Sequence, residues 1–231
     1  MPISKRRATT RVTQRGKLCA VLTGDVVGST RLREKNPRVV SQVMSGASAE
    51  LRAVLRDQMP LEVDVFGGDS WQMFLTSPRR ALWAALFYRS WLLSSTPSVD
   101  TRIAIGIGGV EYVPDRRVSE GQGEAFDISG RLLRSMAKTP LMRFGCPDAA
   151  RRETWDAVVQ LVDYIVATQW TQPRARAVTG ALREWKQRDI AALWGARVIR
   201  QASVSEHLGK AGWSAINAAV DAFEAAWRDG A

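Results

Sequence analysis

The chain has 231 residues, 45% of them hydrophobic, a formal net charge of +10, a single histidine and two cysteines. That length allows one large domain or two small ones with real cores. The lone His207 leaves almost no room for a histidine base or an imidazole-rich metal site, and Cys19 and Cys146 support neither a disulfide framework nor a CxxC zinc site, so oxygen ligands would have to hold any metal.

Taken from the start of the chain, residues 1–16 read as a basic flexible tail. Lys5, Arg6, Arg7, Arg11, Arg15 and Lys17 carry six positive charges with no acidic residue among them. Such a tail is either a simple leader or a source of nonspecific phosphate contacts. No apolar core and cleavage site follow it, and no apolar run approaches the roughly 20 residues that span a bilayer. A cytoplasmic chain without a membrane partner is expected.

KLCAVLTGDVV, residues 17–27, predicts a buried strand ending on Asp25, followed by the turn Gly28-Ser29-Thr30 and a helix over about 37–58. Residues 61–66 and 71–75 predict a hairpin, with Gly67-Gly68-Asp69-Ser70 at its tip. A helix over 78–93, a glycine-punctuated strand over 101–109, a helix over 124–138 and a strand over 140–146 complete residues 17–147. The alternation predicts an α+β domain of ferredoxin-like type with additions. From 148 onward only helices are expected: a connecting helix over 148–170, then a helical domain over 171–231.

Two carboxylates presented from adjacent strand ends, Asp25 and Asp69, can clamp Mg²⁺, with the Val26 carbonyl as a further ligand. The turn Gly28, Ser29, Thr30 leaves backbone N–H groups for triphosphate oxygens. Ordinary turn chemistry selects the same residue types.

In the helical half, helices are expected over 172–184, 186–196 and 200–208, the last two with the length and separation of a helix-turn-helix. Val204 and Leu208 fall on its buried face. Between Thr171 and Trp213 eight Lys or Arg stand against three Asp or Glu, a local balance of +5 by subtraction. This sign suits phosphate, with Arg197, Arg200 and Lys210 as phosphate contacts and Gln201, Ser203 and Ser205 as base readers. The alternative is a helical bundle with a solvated basic face. The tryptophans crowding this half, Trp170, Trp185, Trp194, Trp213 and Trp227, read as core rather than as base-stacking groups.

The segments AVLTGDVVGSTRL, VDVFGGDSWQMFL, RIAIGIGG and GEAFDISGRLL resemble, in order and spacing, the class III nucleotide cyclase homology domain over about residues 18–146. The resemblance implies two divalent metals, Mg²⁺ or Mn²⁺, on Asp25 and Asp69, in-line attack of a ribose 3′-hydroxyl on the α-phosphorus, and a site completed between two subunits. It implies that Arg131 braces the α-phosphate; the family's asparagine position holds Asp127. A solvent-exposed or ion-paired Arg131 is the alternative. Val65 replaces the base-recognising lysine of purine cyclases, and its acidic partner would be Glu120, so the usual purine pair is missing. With the terminal helix-turn-helix, GDVVGS and the Gly68-Asp69 to Gln72 motif, the chain is similar to the SatD family, which implies a regulatory protein.

The leading expectation is a homodimeric, nucleotide-responsive DNA-binding regulator with a magnesium-nucleoside triphosphate site. The alternative is an active cyclase, a phosphorus-oxygen lyase that forms a cyclic nucleotide, including from a pyrimidine triphosphate.

Overall fold

The computed structural model describes residues 14–35, 38–113, 115–195 and 198–228. Strand β1 runs Gln14–Val26, so residues 14–16 of the expected tail are strand. The helix expected over about 37–58 forms as α2 (Val39–Leu55), and a short helix that was not expected, α1 (Ser29–Lys35), precedes it. The hairpin forms as expected, β2 (Asp64–Phe66) being shorter than its apolar run and β3 (Ser70–Leu75) following the turn. After a 3₁₀ turn at Pro78–Arg80 come α3 (Ala81–Ser94), β4 (Thr101–Val110), α4 (Glu124–Ser135) and β5 (Met142–Gly145).

The five strands lie in the order β2-β3-β1-β4-β5. Along the first four, each strand is antiparallel to the next, and β5 is parallel to β4. This is the split βαββαβ order of a ferredoxin-like unit, extended by α4 and β5, and it makes the chain α+β.

β1 reads as an unbroken apolar run because both of its faces are covered. Ala20 and Leu22 join α2 and α3 in the main core, whereas Cys19 and Val21 pack with Phe74, Ala125 and Phe126 on the α4 side. α4 comes this close because β4 presents glycine beneath it. A Cβ on Gly106 would lie 2.5 Å from the Ala125 carbonyl oxygen.

Among the described residues no strand follows β5. Asp148 caps α5 (Ala149–Gln169) by accepting from the Arg151 N–H at 2.7 Å. Then come α6 (Gln172–Leu182), α7 (Gln187–Ala191) with a 3₁₀ turn to Trp194, α8 (Gln201–Lys210), and α9 (Trp213–Ala226), a last helix that sequence periodicity left unassigned.

These helices continue the core of the sheet half. Val178, Leu182, Val204, Leu208 and Phe223 belong to the same contiguous cluster as Leu22 and Ile105. Trp83 donates to the Leu182 carbonyl at 3.0 Å, and Thr179 to Ser90 at 2.9 Å, tying α6 to α3. Trp170 and Trp227 are buried and Trp194 and Trp213 pack against the core, but Trp185 is 38% exposed. No helix among the described residues is long and apolar enough to cross a membrane.

Candidate functional site

The strand register brings the two carboxylates to one place. Asp25 pairs with Ser70 across β3 and with Arg102 across β4. The Val26 N–H donates to the Asp69 carbonyl at 3.1 Å, which sets the hairpin turn against the end of β1. Asp25, Val26, Val27, Gly28 and Asp69 thereby line one cleft of about 650 Å³, together with Arg102 and the segment from Met136 to Leu141.

Each carboxylate is held. Arg102 grips Asp25 with both faces of its fork, Nε to Oδ1 at 2.8 Å and a second nitrogen to Oδ2. That bond is the main reason the Arg102 guanidinium is pushed up from its ordinary value, against the opposing effect of burial. The Ser29 hydroxyl donates to Asp69 Oδ2. The Asp25 backbone is pinned too, since its carbonyl accepts from the Thr101 hydroxyl at 2.7 Å, which in turn accepts from the buried Trp71 indole at 2.8 Å.

Val26, at the end of β1, and Gly28 of the turn line the cleft, and Gly28 has φ +68°, a left-handed conformation that favours glycine. Ser29 is buried with its hydroxyl on Asp69, whereas Thr30 is exposed and does not line the cleft.

The oxygen set suits a hard divalent cation. Arg102 donates one hydrogen bond to each Asp25 oxygen, which leaves each a further lone pair. Among the described residues no group of three or more His, Cys, Asp or Glu could hold a metal, so the candidate ligands are the two aspartates and the Val26 carbonyl.

Asp127 and Arg131 are not brought to this cleft. Asp127 lines a second one of about 590 Å³ with Thr23, Ser70, Gln72 and Arg134. Arg131 lines a third of about 370 Å³ with Glu124, Cys146 and Arg152. The reason is helical rise: α4 reaches the Asp25 cleft only where it ends, at Met136, and Asp127 lies roughly 13 Å back along the axis. Val65 is half-buried and packs against the core, and Glu120 pairs with Arg117 at 3.7 Å.

Sequence reading missed Arg102 and Lys138 in the cleft. Arg102 had a signal, being the one charge in an otherwise apolar strand, a position that demands a partner. Lys138, in the segment after α4, had none.

In the helical half Val204 and Leu208 are buried, and Arg200, Gln201, Ser205 and Lys210 are exposed, with Ser203 half-buried. Lys210 is paired with Glu206 at 2.6 Å. Arg197 lies outside the described residues.

No family model matches this sequence, and no curated protein does. Among solved structures, a bacterial light-regulated adenylyl cyclase aligns with TM-score 0.39 and 16% identity over 55% of this chain. Another structure so described aligns with TM-score 0.36 at the same identity and share. Both are adenylyl cyclases. The chain spans 43% of the length of each.

Proposed function

We propose that the sheet half is a cyclase-type domain that binds a nucleoside triphosphate with Mg²⁺ or Mn²⁺ in the Asp25–Asp69 cleft, and that the helical half binds DNA, making the chain a SatD-like, nucleotide-responsive regulator in the cytoplasm. The observation that carries the nucleotide reading is the delivery of Asp25 and Asp69 from adjacent chain segments into one cleft that also holds two cations, Arg102 and Lys138. Asp25, Asp69 and the Val26 carbonyl would hold the metal, which supplies charge neutralisation of the triphosphate and, in a cyclase, activation of the ribose hydroxyl. Gly28 lets the phosphates approach the backbone. Arg102 and Lys138 add positive charge beside them.

The DNA reading is supported by the mutual packing of α6, α7 and α8, with Val204 and Leu208 inward and Arg200, Gln201 and Ser205 outward. Arg200, Arg197 and Lys210 would meet phosphates; Gln201, Ser203 and Ser205 would read base edges. A homodimer would set the spacing of two such units.

The exposure of Asp127 and Arg131 on α4, away from their own chain's cleft, favours a second reading as an active cyclase. In that case these residues act on the partner subunit's nucleotide. Incubation with each ribonucleoside triphosphate and Mn²⁺, alongside Asp69→Asn, separates the readings. Thermal stabilisation by one nucleotide without product, lost in Asp69→Asn, supports the regulator. A cyclic monophosphate made only by the unmutated chain makes it an enzyme. Neither outcome with any nucleotide overturns both.

A further inference from the structure

Arg89, in the middle of α3, has no exposed surface. Its Nε and one terminal nitrogen donate to Oδ1 and Oδ2 of Asp100 at 2.7 and 3.0 Å, and its other terminal nitrogen donates to Asp163 Oδ1. Asp163 is itself buried, on α5, and its second oxygen accepts from the backbone N–H of Leu141 at 2.8 Å. Asp100 reaches the chain in two ways: its carboxylate accepts from the Thr101 N–H at 2.8 Å, and its carbonyl accepts from the Val27 N–H at 2.8 Å.

Val27 and Leu141 both line the cleft of Asp25 and Asp69, one beside the end of β1, the other in the segment after α4. A single guanidinium therefore joins two carboxylates, each of whose residues fixes a different stretch of cleft backbone. Packing alone does not require this. A buried ionic cluster is commonly replaceable by hydrophobic side chains of similar volume without loss of stability. Burial opposes the charge on Arg89, and Asp100 and Asp163 together outweigh it, so the guanidinium stays a cation.

We propose that Arg89, Asp100 and Asp163 are positioning residues for the cleft, holding the Val27 and Leu141 segments at the separation at which Asp25 and Asp69 take a metal-nucleotide. This rests on the nucleotide reading above. Because Asp163 belongs to α5, the first helix of the C-terminal half, that half takes part in setting the cleft's affinity.

The test uses the full chain, titrated calorimetrically with Mn²⁺ and each of ATP, GTP, CTP and UTP, with amide hydrogen exchange read at Val27 and Leu141. Asp163→Asn keeps an acceptor for Leu141 but loses the charge pairing. The double variant Arg89→Met, Asp163→Leu removes both buried charges, so it keeps a folded core when the single variant does not. The expected result is a double variant that melts within a few degrees of the unmutated chain, exchanges faster at both amides and binds the metal-nucleotide about tenfold or more weakly. A folded double variant with undiminished binding overturns this proposal alone. No binding by the unmutated chain overturns the nucleotide reading and this proposal with it.

Discussion

Arg102 and Asp25 are each about a quarter exposed, 28% and 24%, and together they decide the charge that the cleft offers a ligand. Arg102→Met removes a cation that competes for both Asp25 oxygens and leaves two carboxylates facing the same space. Bare Mn²⁺ is expected to bind several-fold more tightly and the triphosphate more weakly, which separate titrations of metal and nucleotide would measure. Burial sets a second prediction, at Cys19, whose thiol is pushed from 9.0 up to about 11. A thiol raised in the folded state adds stability that is full below its unfolded pKa and is lost as pH climbs through the folded one. The contribution of Cys19 should therefore fade between about pH 9 and 11, seen as a falling midpoint in denaturant titrations. Cys146 is raised as well, chiefly by burial, and its loss runs in the same direction.

α4 and α8 depend on different residue features for their placement. α4 lies on β4 over glycine, and a Cβ at Gly106 would meet the Ala125 carbonyl oxygen at 2.5 Å and the Ser129 nitrogen at 2.7 Å, both backbone atoms that cannot swing away. Gly106→Ala should cost about 1–3 kcal/mol, lowering the thermal midpoint by several degrees. It should also disturb the Gln72–Thr23–Ser129 hydrogen-bond chain, whose links are both 2.9 Å. α8 is held by Val204 and Leu208, and truncating the latter in Leu208→Ala should cost about 2–5 kcal/mol by calorimetry. On its exposed side the two cations differ. Lys210 is engaged by Glu206, whereas Arg200 is exposed at the start of the helix. Under the DNA reading, Arg200→Ala should weaken binding and reduce the salt slope by about one, with Lys210→Ala doing less.

Across the whole molecule, the hydrophobic cluster runs without interruption from β1 to Trp227. Polar ties cross the same boundary: Glu224 of α9 pairs with Arg79 and Arg80 at 3.3 and 2.7 Å, and Arg183 after α6 pairs with Glu50 of α2. Arg183 also lies 5.1 Å from the Phe87 ring and 5.7 Å from that of Trp91. The two halves are expected to unfold in one transition, with near-ultraviolet and far-ultraviolet signals coincident. Two separated calorimetric peaks would show that the helices fold independently. A chain ended at residue 147 should lose cooperative unfolding, because Trp83 and Phe144 would lose their partners Leu182 and Phe223.

The alternation of strand and helix, the all-helical second half and the hairpin bearing Asp69 were legible in the residues, since local periodicity and turn chemistry act over a few positions. Asp25 at a strand end was legible for the same reason. The strand order, the partnership of Asp25 with Arg102, and the Lys138 wall of the cleft were not, because they depend on β1 lying between β3 and β4, a pairing between residues dozens of positions apart. Asp127 and Arg131 were assigned to the site by motif order, as residues completing it between two subunits; within one chain they line other clefts on α4, as a role across two subunits requires. The burial of Arg89 between Asp100 and Asp163 was equally invisible, for in an amphipathic pattern an arginine reads as solvent-facing. The packing of α5 against the sheet brought Asp163 to a guanidinium that Asp100, just before β4, already meets, and the two partners together allowed the charge inside.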